Sequence, residues 1–469
     1  MAARLRCMCA ALLTASLTTA CAGGVETPNG GPSGGQAGAG APVVVDTDLA
    51  LDDLVALAFL LSSKEADVRA VTVSGTGEVH CPRGLDVIRA LLAVTGDEQV
   101  PVACGRSTPL AGEHAFPAEW RDLADHGWDM GLPPGASPAT DLSAVDLLSD
   151  TLRPGGVTLL TLGPLTNVAE TFRAAPDLAQ QVSEIVVMGG AVDVPGNVSV
   201  DGVEASTAEW NMYIDPTAAA EVLASGAPVV LVGLDATTRL PVTGDYLELS
   251  GANTDTEPAE LVDSLIRNNP QVYTGDAYFW DPLAAAVVVR PELVTTETAA
   301  ITVLTAPGRD NGRTVRSQDG TPVRIARRPR AKAFQELLLG TLDQLQPSDV
   351  LATPPPPVGK ALIGFDGNMC RYDGPAAVPH GRMRFTFQTT DPAWTGAVVS
   401  LTGELSVESI LDWLRAHPGG GRGAVPGVQQ VTPVPPGFAM YVDVSSPRVA
   451  VLCASEEPLP LLAGTVTVE

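Results

Sequence analysis

Short, largely apolar runs alternate with stretches of helical spacing from about residue 42 to about residue 350. The runs are Pro42–Asp46 (PVVVD), Val68–Val73, Val157–Thr161, Ile185–Met188 and Val229–Val232. Between them, Leu51–Leu61, Leu85–Val94, Leu142–Leu152, Leu165–Ala174 and Pro216–Ala224 place apolar residues three and four apart, which predicts helices. Apolar strands separated by helices predict an α/β fold, an open, mostly parallel sheet with helices on both faces. In such sheets ligands bind at the carboxyl ends of the strands. Polar chemistry that follows a strand directly therefore carries the most weight.

Residues 350–359 (VLATPPPPVG) break the alternation, and a proline run is a semi-rigid spacer between domains. Beyond it Arg382–Thr389, Ala397–Leu401, Ala439–Val444 and Val449–Cys453 read as strands, with one helix at Val407–Ala416. They predict a small β-sandwich-like domain of unknown role. The expected division is 42–350 for the α/β domain, 351–359 for the linker and 360–469 for the β domain. No internal repeat is apparent.

The first residues read as a targeting signal, not as structure. Arg4 and Arg6 precede an apolar run at 10–20, too short to span a bilayer, and the run ends at Thr19-Ala20-Cys21. Residues 1–21 resemble a bacterial lipoprotein signal, with Cys21 the lipidated residue and the only route to a membrane. Thr18 stands where the usual pattern has Leu, and Leu17 lies one earlier. Secretion after an A-x-A site at Ala20-Cys21-Ala22 is the alternative, so the chain is expected to be exported in either case. Residues 22–41, rich in Gly, Pro and Ala, form a flexible linker.

Composition narrows the partners. The chain has 469 residues, 45% of them hydrophobic, enough for a large core and two domains. Its net charge of −26 opposes nucleic acid and anionic membrane surfaces and leaves small neutral ligands open. Beyond the signal, Cys81, Cys104, Cys370 and Cys453 remain, an even number in an exported chain. Their clustering favours Cys81–Cys104 and Cys370–Cys453; free buried thiols are the alternative. No Cys/His spacing points to zinc.

The densest chemistry is Val43–Asp53, VVVDTDLALDD. A buried strand runs into Asp46 and Asp48, and a helix carrying Asp52 and Asp53 begins at once. A helix N-terminus favours each negative charge by only about 0.3–1 kcal/mol, too little to hold four carboxylates together. A hard cation such as calcium can, since it accepts oxygen ligands in irregular geometry. Capping or solvation accounts for one or two of these residues, not for all four. Trp280-Asp281-Pro282 repeats the arrangement at a later helix start, where a cap is the simpler reading.

With these residues the chain resembles the inosine–uridine preferring nucleoside hydrolase family. The D-T-D-x-x-x-D-D stretch at Asp46–Asp53 matches its N-terminal signature. In order follow Leu162–Asn167 (LGPLTN), Met188-Gly189-Gly190 leading to Gly196-Asn197, Ala208–Pro216 (AEWNMYIDP) and Val232–Asp235 (VGLD). The likeness covers roughly 42–345. It implies a nucleoside hydrolase fold and hydrolysis of the N-glycosidic bond of ribonucleosides by a calcium-held water. It further implies Asp48 as calcium ligand and general base, and Asp53, Asp281 and the Leu162 carbonyl as further ligands. Asp46 would support the cluster, and Asp52, Asn197, Glu209 and Asn211 would hold the ribose. The implied partner is a small nucleoside, with a homo-oligomer compatible. Acid and amide groups suit a ribosyl ring that becomes positive during cleavage.

Two positions depart from the family. Many members have a His directly before the late calcium Asp, able to protonate the leaving base; this chain has Trp280, which with Tyr273 and Tyr278 offers stacking surface instead, or simply core packing. Thr76, in VSGTGEVH, stands where many members have an Asn that contacts the substrate. His80 is a candidate replacement acid, with a structural role in a disulfide-pinned loop as the alternative. Two other functions remain. A lipoprotein that binds nucleosides with slow or no turnover fits Trp280, but an intact Asp48, Asp53 and Asp281 set argues for catalysis. A haloacid-dehalogenase-like phosphatase would need Thr at Ala50 and a catalytic Lys, and the chain has only Lys64, Lys332 and Lys360.

Overall fold

The alternating pattern becomes nine strands of one sheet. In the computed structural model these are β1 (Ala41–Thr47), β2 (Ala66–Val73), β3 (Val102–Cys104), β4 (Thr158–Thr161), β5 (Glu184–Met188), β6 (Val229–Val232), β7 (Val294–Val303), β8 (Thr314–Arg316) and β9 (Thr321–Pro329). The structure describes residues 40–129, 142–199, 207–269, 277–345, 350, 356–391, 393–401, 409, 428–434, 436, 439–444, 446–455 and 460–469. Spatial order is β3-β2-β1-β4-β5-β6-β9-β7-β8. Neighbours from β3 through β9 pair in parallel, and β7 pairs antiparallel with β8 and β9.

This order places the functional segment. The chain moves outward one way through β1, β2 and β3, then returns to lay β4 on the other side of β1. The segments leaving β1 and β4 diverge there, which opens a crevice at their carboxyl ends. Asp46–Asp53 and Leu162–Asn167 are those two segments.

Alternation along β1 sends Val43 and Val45 to one face and Val44 to the other. On the first face they pack with Leu57 and Phe59 of the helix Leu51–Ser62 and with the helix Trp280–Val289. On the second, Val44 packs with Leu148, Val168 and Val222 from the helices Ala144–Leu152, Thr166–Ala174 and Pro216–Leu223. Both faces are thus covered, and each fully buried Leu, Val or Phe contributes about 1.5–3 kcal/mol. The helix expected from Leu85 starts earlier, at Cys81, because Pro82 sits in its first turn, where no amide donor is needed. β3 escaped the sequence pattern because it is three residues long, and β7 because its first half carries an exposed polar run, Thr295–Thr298.

Residues 359–468 form two further sheets. The strands are β10 (Gly359–Phe365), β11 (Cys370–Asp373), β12 (Ala377–Val378), β13 (Gly381–Thr389), β14 (Thr395–Leu401), β15 (Val428–Val434), β16 (Ala439–Val444), β17 (Arg448–Ala454) and β18 (Leu461–Val468). One sheet has the order β11-β10-β13-β16, the other β12-β18-β17-β14-β15. Ile363, Phe385 and Met440 of the first meet Val398, Val451 and Val466 of the second in one core, the sandwich the sequence predicts. The helix expected at Val407–Ala416 lies, apart from Ser409, outside the described residues, as do the signal, nearly all of the tether and Pro354–Pro355 of the proline run. Arg384 pairs with Glu248 at 3.5 Å, and Arg382 bonds Thr254, both from the sandwich to the α/β region; residues 39–469 are one compact unit.

Both expected disulfides are present, Cys81–Cys104 and Cys370–Cys453. The second ties β11 to β17 across 83 residues of sequence. Removing it as Cys370→Ser with Cys453→Ser should lower unfolding free energy by about 2–5 kcal/mol, read as the urea midpoint of the sandwich transition. An unchanged midpoint would show that the bridge adds nothing.

Candidate active site

β1 ends by splitting its polar side chains between the two faces of the sheet. Asp46 turns to the face of Val44, where Thr72 donates to its Oδ1 at 2.5 Å and Asn167 Nδ2 at 2.7 Å. Thr47 turns the other way and donates to Asp53 Oδ1, which also accepts the Asp48 amide at 3.1 Å. The chain then bends sharply. Leu49 has φ +57°, a left-handed conformation that costs a non-glycine residue about 1–2 kcal/mol. Its amide donates to Thr47 Oγ1 and its carbonyl accepts from Trp128 Nε1, both at 3.2 Å. The bend lets the helix Leu51–Ser62 start with Asp52 and Asp53 facing back toward Asp48.

Two glycines close around Asp48. A Cβ on Gly77 would lie 2.1 Å from the Asp48 Cβ, and one on Gly163 would lie 2.8 Å from it. No other residue lets the loops after β2 and β4 approach this carboxylate so closely. The Glu78 amide donates to Asp48 Oδ2 at 3.1 Å.

On the same face of the sheet, the neighbouring helix Trp280–Val289 adds Asp281, whose amide lies 3.4 Å from Asp52 Oδ2. Carboxylate oxygens of Asp52, Asp53 and Asp281 lie within 4.8 Å of one another. Asp53 Oδ2 and Asp281 Oδ1 are buried and have no hydrogen-bond partner. Burial raises Asp48 and Asp281 well above the ordinary carboxylate range, helped by Asp53 and Asp52 respectively. Asp52 is pushed up to about 7 by burial and by Asp53. Asp46 also reaches about 7, from burial, against the bonds from Thr72 and Asn167. Carboxylates this close and this dry need either protons or a cation, and orphaned oxygens on two of them fit a hard cation. Asp52 therefore joins the metal-competent group, beyond the ribose-holding role the family likeness implies.

The remaining residues are tied to one another and to the loops after β4 and β5. Asn211 donates from Nδ2 to the Leu162 carbonyl at 2.7 Å, leaving that oxygen its second lone pair. Glu209 caps the helix Trp210–Ile214, accepting from the amides of Asn211 and Met212 and from Gly190 at 3.0 Å. Burial still raises its carboxyl above the ordinary value. Asn197 accepts the Trp210 amide at 3.1 Å.

On the side where a base would sit, the structure corrects two expectations. Thr76 is buried and spends its hydroxyl on Ser74 at 2.9 Å and Thr166 at 3.1 Å, in a chain that ends on Asp215. It supports the loop and does not present a group to a ligand. His80 pairs through Nδ1 with Asp125 at 2.8 Å, its side chain 49% exposed, which makes it a surface anchor of the loop and not an acid of the pocket. Trp280 is half-buried, its ring centroid 5.7 Å from that of Tyr278, and Tyr273 lies outside the described residues.

Glu78 was missed. It is 7% exposed, its Oε2 has no partner, and burial with Asp52 and Asp53 raises it well above the ordinary Glu value. Arg121 is the cation beside it; its Nη2 donates to the Gly75 carbonyl at 3.2 Å. A signal existed: Glu78 follows β2 much as Asp48 follows β1, and β1 and β2 are neighbours.

Comparison with known proteins agrees with this geometry. The family signature of inosine-uridine preferring nucleoside hydrolases matches residues 43–336. Uridine nucleosidase 1 of Arabidopsis thaliana is 32% identical over 292 residues, 60% of this chain and 84% of that protein. The pyrimidine-specific ribonucleoside hydrolase RihA of Citrobacter koseri is 35% identical over 291 residues, 58% of this chain and 87% of that protein. Among solved structures, a plant nucleoside hydrolase superposes with TM-score 0.59 at 30% identity, covering 65% of this chain and 99% of that one. An inosine-uridine preferring nucleoside hydrolase from Bacillus anthracis gives TM-score 0.58 at 27% identity, with the same coverage. Matched across the sheet and its acidic crevice, the chain belongs to the inosine-uridine preferring nucleoside hydrolase family, enzymes that hydrolyse N-glycosyl bonds.

Proposed function

We infer that the chain cleaves ribonucleosides to ribose and free base with calcium as its cation and Asp48 as general base. The observation that carries this is the pair of buried, unpartnered oxygens on Asp53 and Asp281, set beside Asp48 at the switch point of the sheet. Asp48, Asp53, Asp281 and the Leu162 carbonyl would hold the ion, with Asp52 close by. An oxygen-only donor set favours calcium over softer metals. When bound, calcium supplies positive charge that makes water more acidic and holds sugar hydroxyls.

The protein residues do the rest. Asp48 takes a proton from the attacking water, as its oxygen bonds to C1′ and the C1′–N bond breaks through an oxocarbenium-like state. Asp52, Asn197, Glu209 and Asn211 take the ribose hydroxyls, and the carboxylates among them favour the developing positive ring. Asp46 holds β1 and the loop after β4 in register through Asn167, from the opposite face. Trp280 offers its indole to the base. Relatives named for uridine and for pyrimidine ribonucleosides support the substrate class. Export, with a lipid anchor at Cys21, and the division into a hydrolase domain at 42–350 and a β domain at 360–469 belong to the same reading. The two disulfides support an oxidising compartment.

Ribose release from a panel of purine and pyrimidine ribonucleosides, with calcium present, tests the activity; release from none of them sinks it. Asp48→Ala should lower kcat by about 10²–10⁴ or more and weaken calcium binding, and full activity in that variant refutes the assigned role.

Metal-free stability should fall with rising pH. Asp46 and Asp52 titrate near 7 in the folded chain, above the unfolded value of about 3.9, so the folded state binds more protons in between. Their contribution is present at low pH and is lost as pH rises through about 7. Calcium favours the ionised carboxylates, so its increase in Tm should be larger at about pH 8 than at about pH 5. Equal increases at both would count against Asp52 and its neighbours Asp53 and Asp281 as the cation site.

A further inference from the structure

Leu49 and Trp128 both have a left-handed backbone, with φ +57° each, and they are bonded to one another: Trp128 Nε1 donates to the Leu49 carbonyl at 3.2 Å. Neither is a glycine, so each conformation persists only where its surroundings hold it. Leu49 is the corner between Asp48 and the helical turn that carries Asp52 and Asp53, and the Asp48 amide closes this corner on Asp53 Oδ1 at 3.1 Å. Trp128 is buried in the turn that follows the helix Ala118–Asp125. A strained residue beside the proposed base is thus held by a second strained residue from elsewhere in the chain.

Trp128 is held in turn by Asn269. The buried Asn269 donates from Nδ2 to the Trp128 carbonyl at 3.2 Å and to the Leu265 carbonyl at 2.8 Å, so its amide spans from its own helix, Glu257–Asn268, to the turn. Leu49, Trp128, Leu265 and Ile266 share one apolar core. The sandwich grips the other side of this helix. Arg267 is buried and pairs with Asp263 at 2.6 and 2.9 Å; it donates to the Leu247 carbonyl of the preceding helix, Gly244–Ser250, at 2.8 Å and reaches Met440 Sδ of β16 at 3.8 Å. Arg384 of β13 pairs with Glu248 of that preceding helix at 3.5 Å, and Arg382 bonds Thr254 in the connection between the two helices. We propose that the C-terminal sandwich is a brace for the catalytic bend, with Asn269 and Trp128 as the positioning residues through which it acts on Leu49 and so on Asp48. The proposal rests on Asp48 as the base of the reaction above.

Two opposing effects of similar size meet at this corner. One left-handed residue other than glycine costs about as much as one buried hydrogen bond contributes. Loss of the Trp128 bond therefore frees Leu49 to leave its conformation, and the Asp48 side chain swings with it. A base works only within hydrogen-bond reach of the water it deprotonates, and a misplacement of about 1 Å costs up to about 10²-fold in rate. Among the described residues none of the acidic group comes from the sandwich. Any effect of that domain on the reaction must pass through contacts of this kind. Every step from β13 and β16 to Leu49 is a hydrogen bond, an ion pair or a shared apolar core, which is the continuity that coupling between distant segments requires.

Variants of the full chain test it. Trp128→Phe keeps an aromatic ring and removes the donor, while Arg382→Ala with Arg384→Ala loosens the sandwich and touches no residue of the site. With the ribonucleoside that the unaltered chain cleaves fastest, Trp128→Phe should lower kcat about tenfold and leave KM within about twofold. The arginine variant should lower kcat about threefold. Added to Trp128→Phe it should cause no further loss, because the link is already cut. Hydrogen exchange at the Asp48 and Leu49 amides should quicken about tenfold in Trp128→Phe, in Asn269→Leu and in the arginine variant. A fall in Tm with unchanged kcat, in either Trp128→Phe or the arginine variant, marks ordinary packing and overturns the proposal; so does a combined loss equal to the product of the separate ones. If the unaltered chain cleaves no ribonucleoside, the hydrolase reading fails, and the exchange rates in the arginine variant still decide the brace: quickened exchange at Asp48 and Leu49 supports it, and unchanged exchange overturns it.

Discussion

Mutual repulsion among buried carboxylates is the constraint on which the rest of this molecule depends. Asp48, Asp53, Asp281 and Glu78 are all nearly excluded from solvent, and Asp52 is only partly exposed. An isolated buried carboxylate favours its protonated form, because transfer of a charge from water to a dry site costs several kcal/mol. Burial as the leading cause of every raised carboxyl in the group expresses that cost. In the proposed reaction a divalent cation would remove this conflict and also hold the sugar. Function and stability are thus coupled through one electrostatic arrangement.

Such an arrangement needs a frame that does not yield. The parallel sheet supplies it, with hydrophobic layers on both faces and ladder pairing of β1 on both edges. The acidic groups come from three segments far apart in sequence, Asp48–Asp53, Glu78 and Asp281. The aspartates follow a strand directly or lie in the first turn of a helix, where the backbone is already anchored, and Glu78 lies in the short loop between β2 and the next helix. Gly77 and Gly163 let neighbouring loops close to van der Waals distance of Asp48, and the left-handed Leu49 turns the chain between its two pairs of aspartates. Local strain here is held by bonds from Thr47 and Trp128.

The base side follows a different logic from the sugar side. In the proposed reaction the sugar side calls for oxygen donors, because ribose hydroxyls and a hard cation both take them. On the base side, Thr76 is drawn into a hydroxyl chain with Ser74 and Thr166, and Glu78, two residues on, is the polar group that this loop turns toward the cluster. The Cys81–Cys104 bridge and the His80–Asp125 pair anchor the far end of that loop. Leaving-group chemistry is the part of the reaction most open to variation, since a base can leave by protonation, by stacking or by carrying its own charge.

Much was legible from the residues alone. Five strands and five helices of the α/β layer appear within a few positions of where periodicity places them, because parallel strands buried on both faces must be apolar throughout. The aspartates at 48, 52 and 53 point to a cation site from the sequence alone, whereas Asp46, on the opposite face, is held by Thr72 and Asn167. The strands β7–β9 and the three-residue β3 were hidden, since exposure and brevity leave no apolar pattern. What only the tertiary structure decided is which distant side chains share the crevice. It turned His80 outward to Asp125, withdrew Thr76 into the loop and brought Glu78 beside Asp48 and Asp52, 30 and 26 residues away in sequence. Periodicity fixes the face a residue takes within its own element, whereas the meeting of β1 and β2 loops depends on sheet order and on the glycines that let backbones touch.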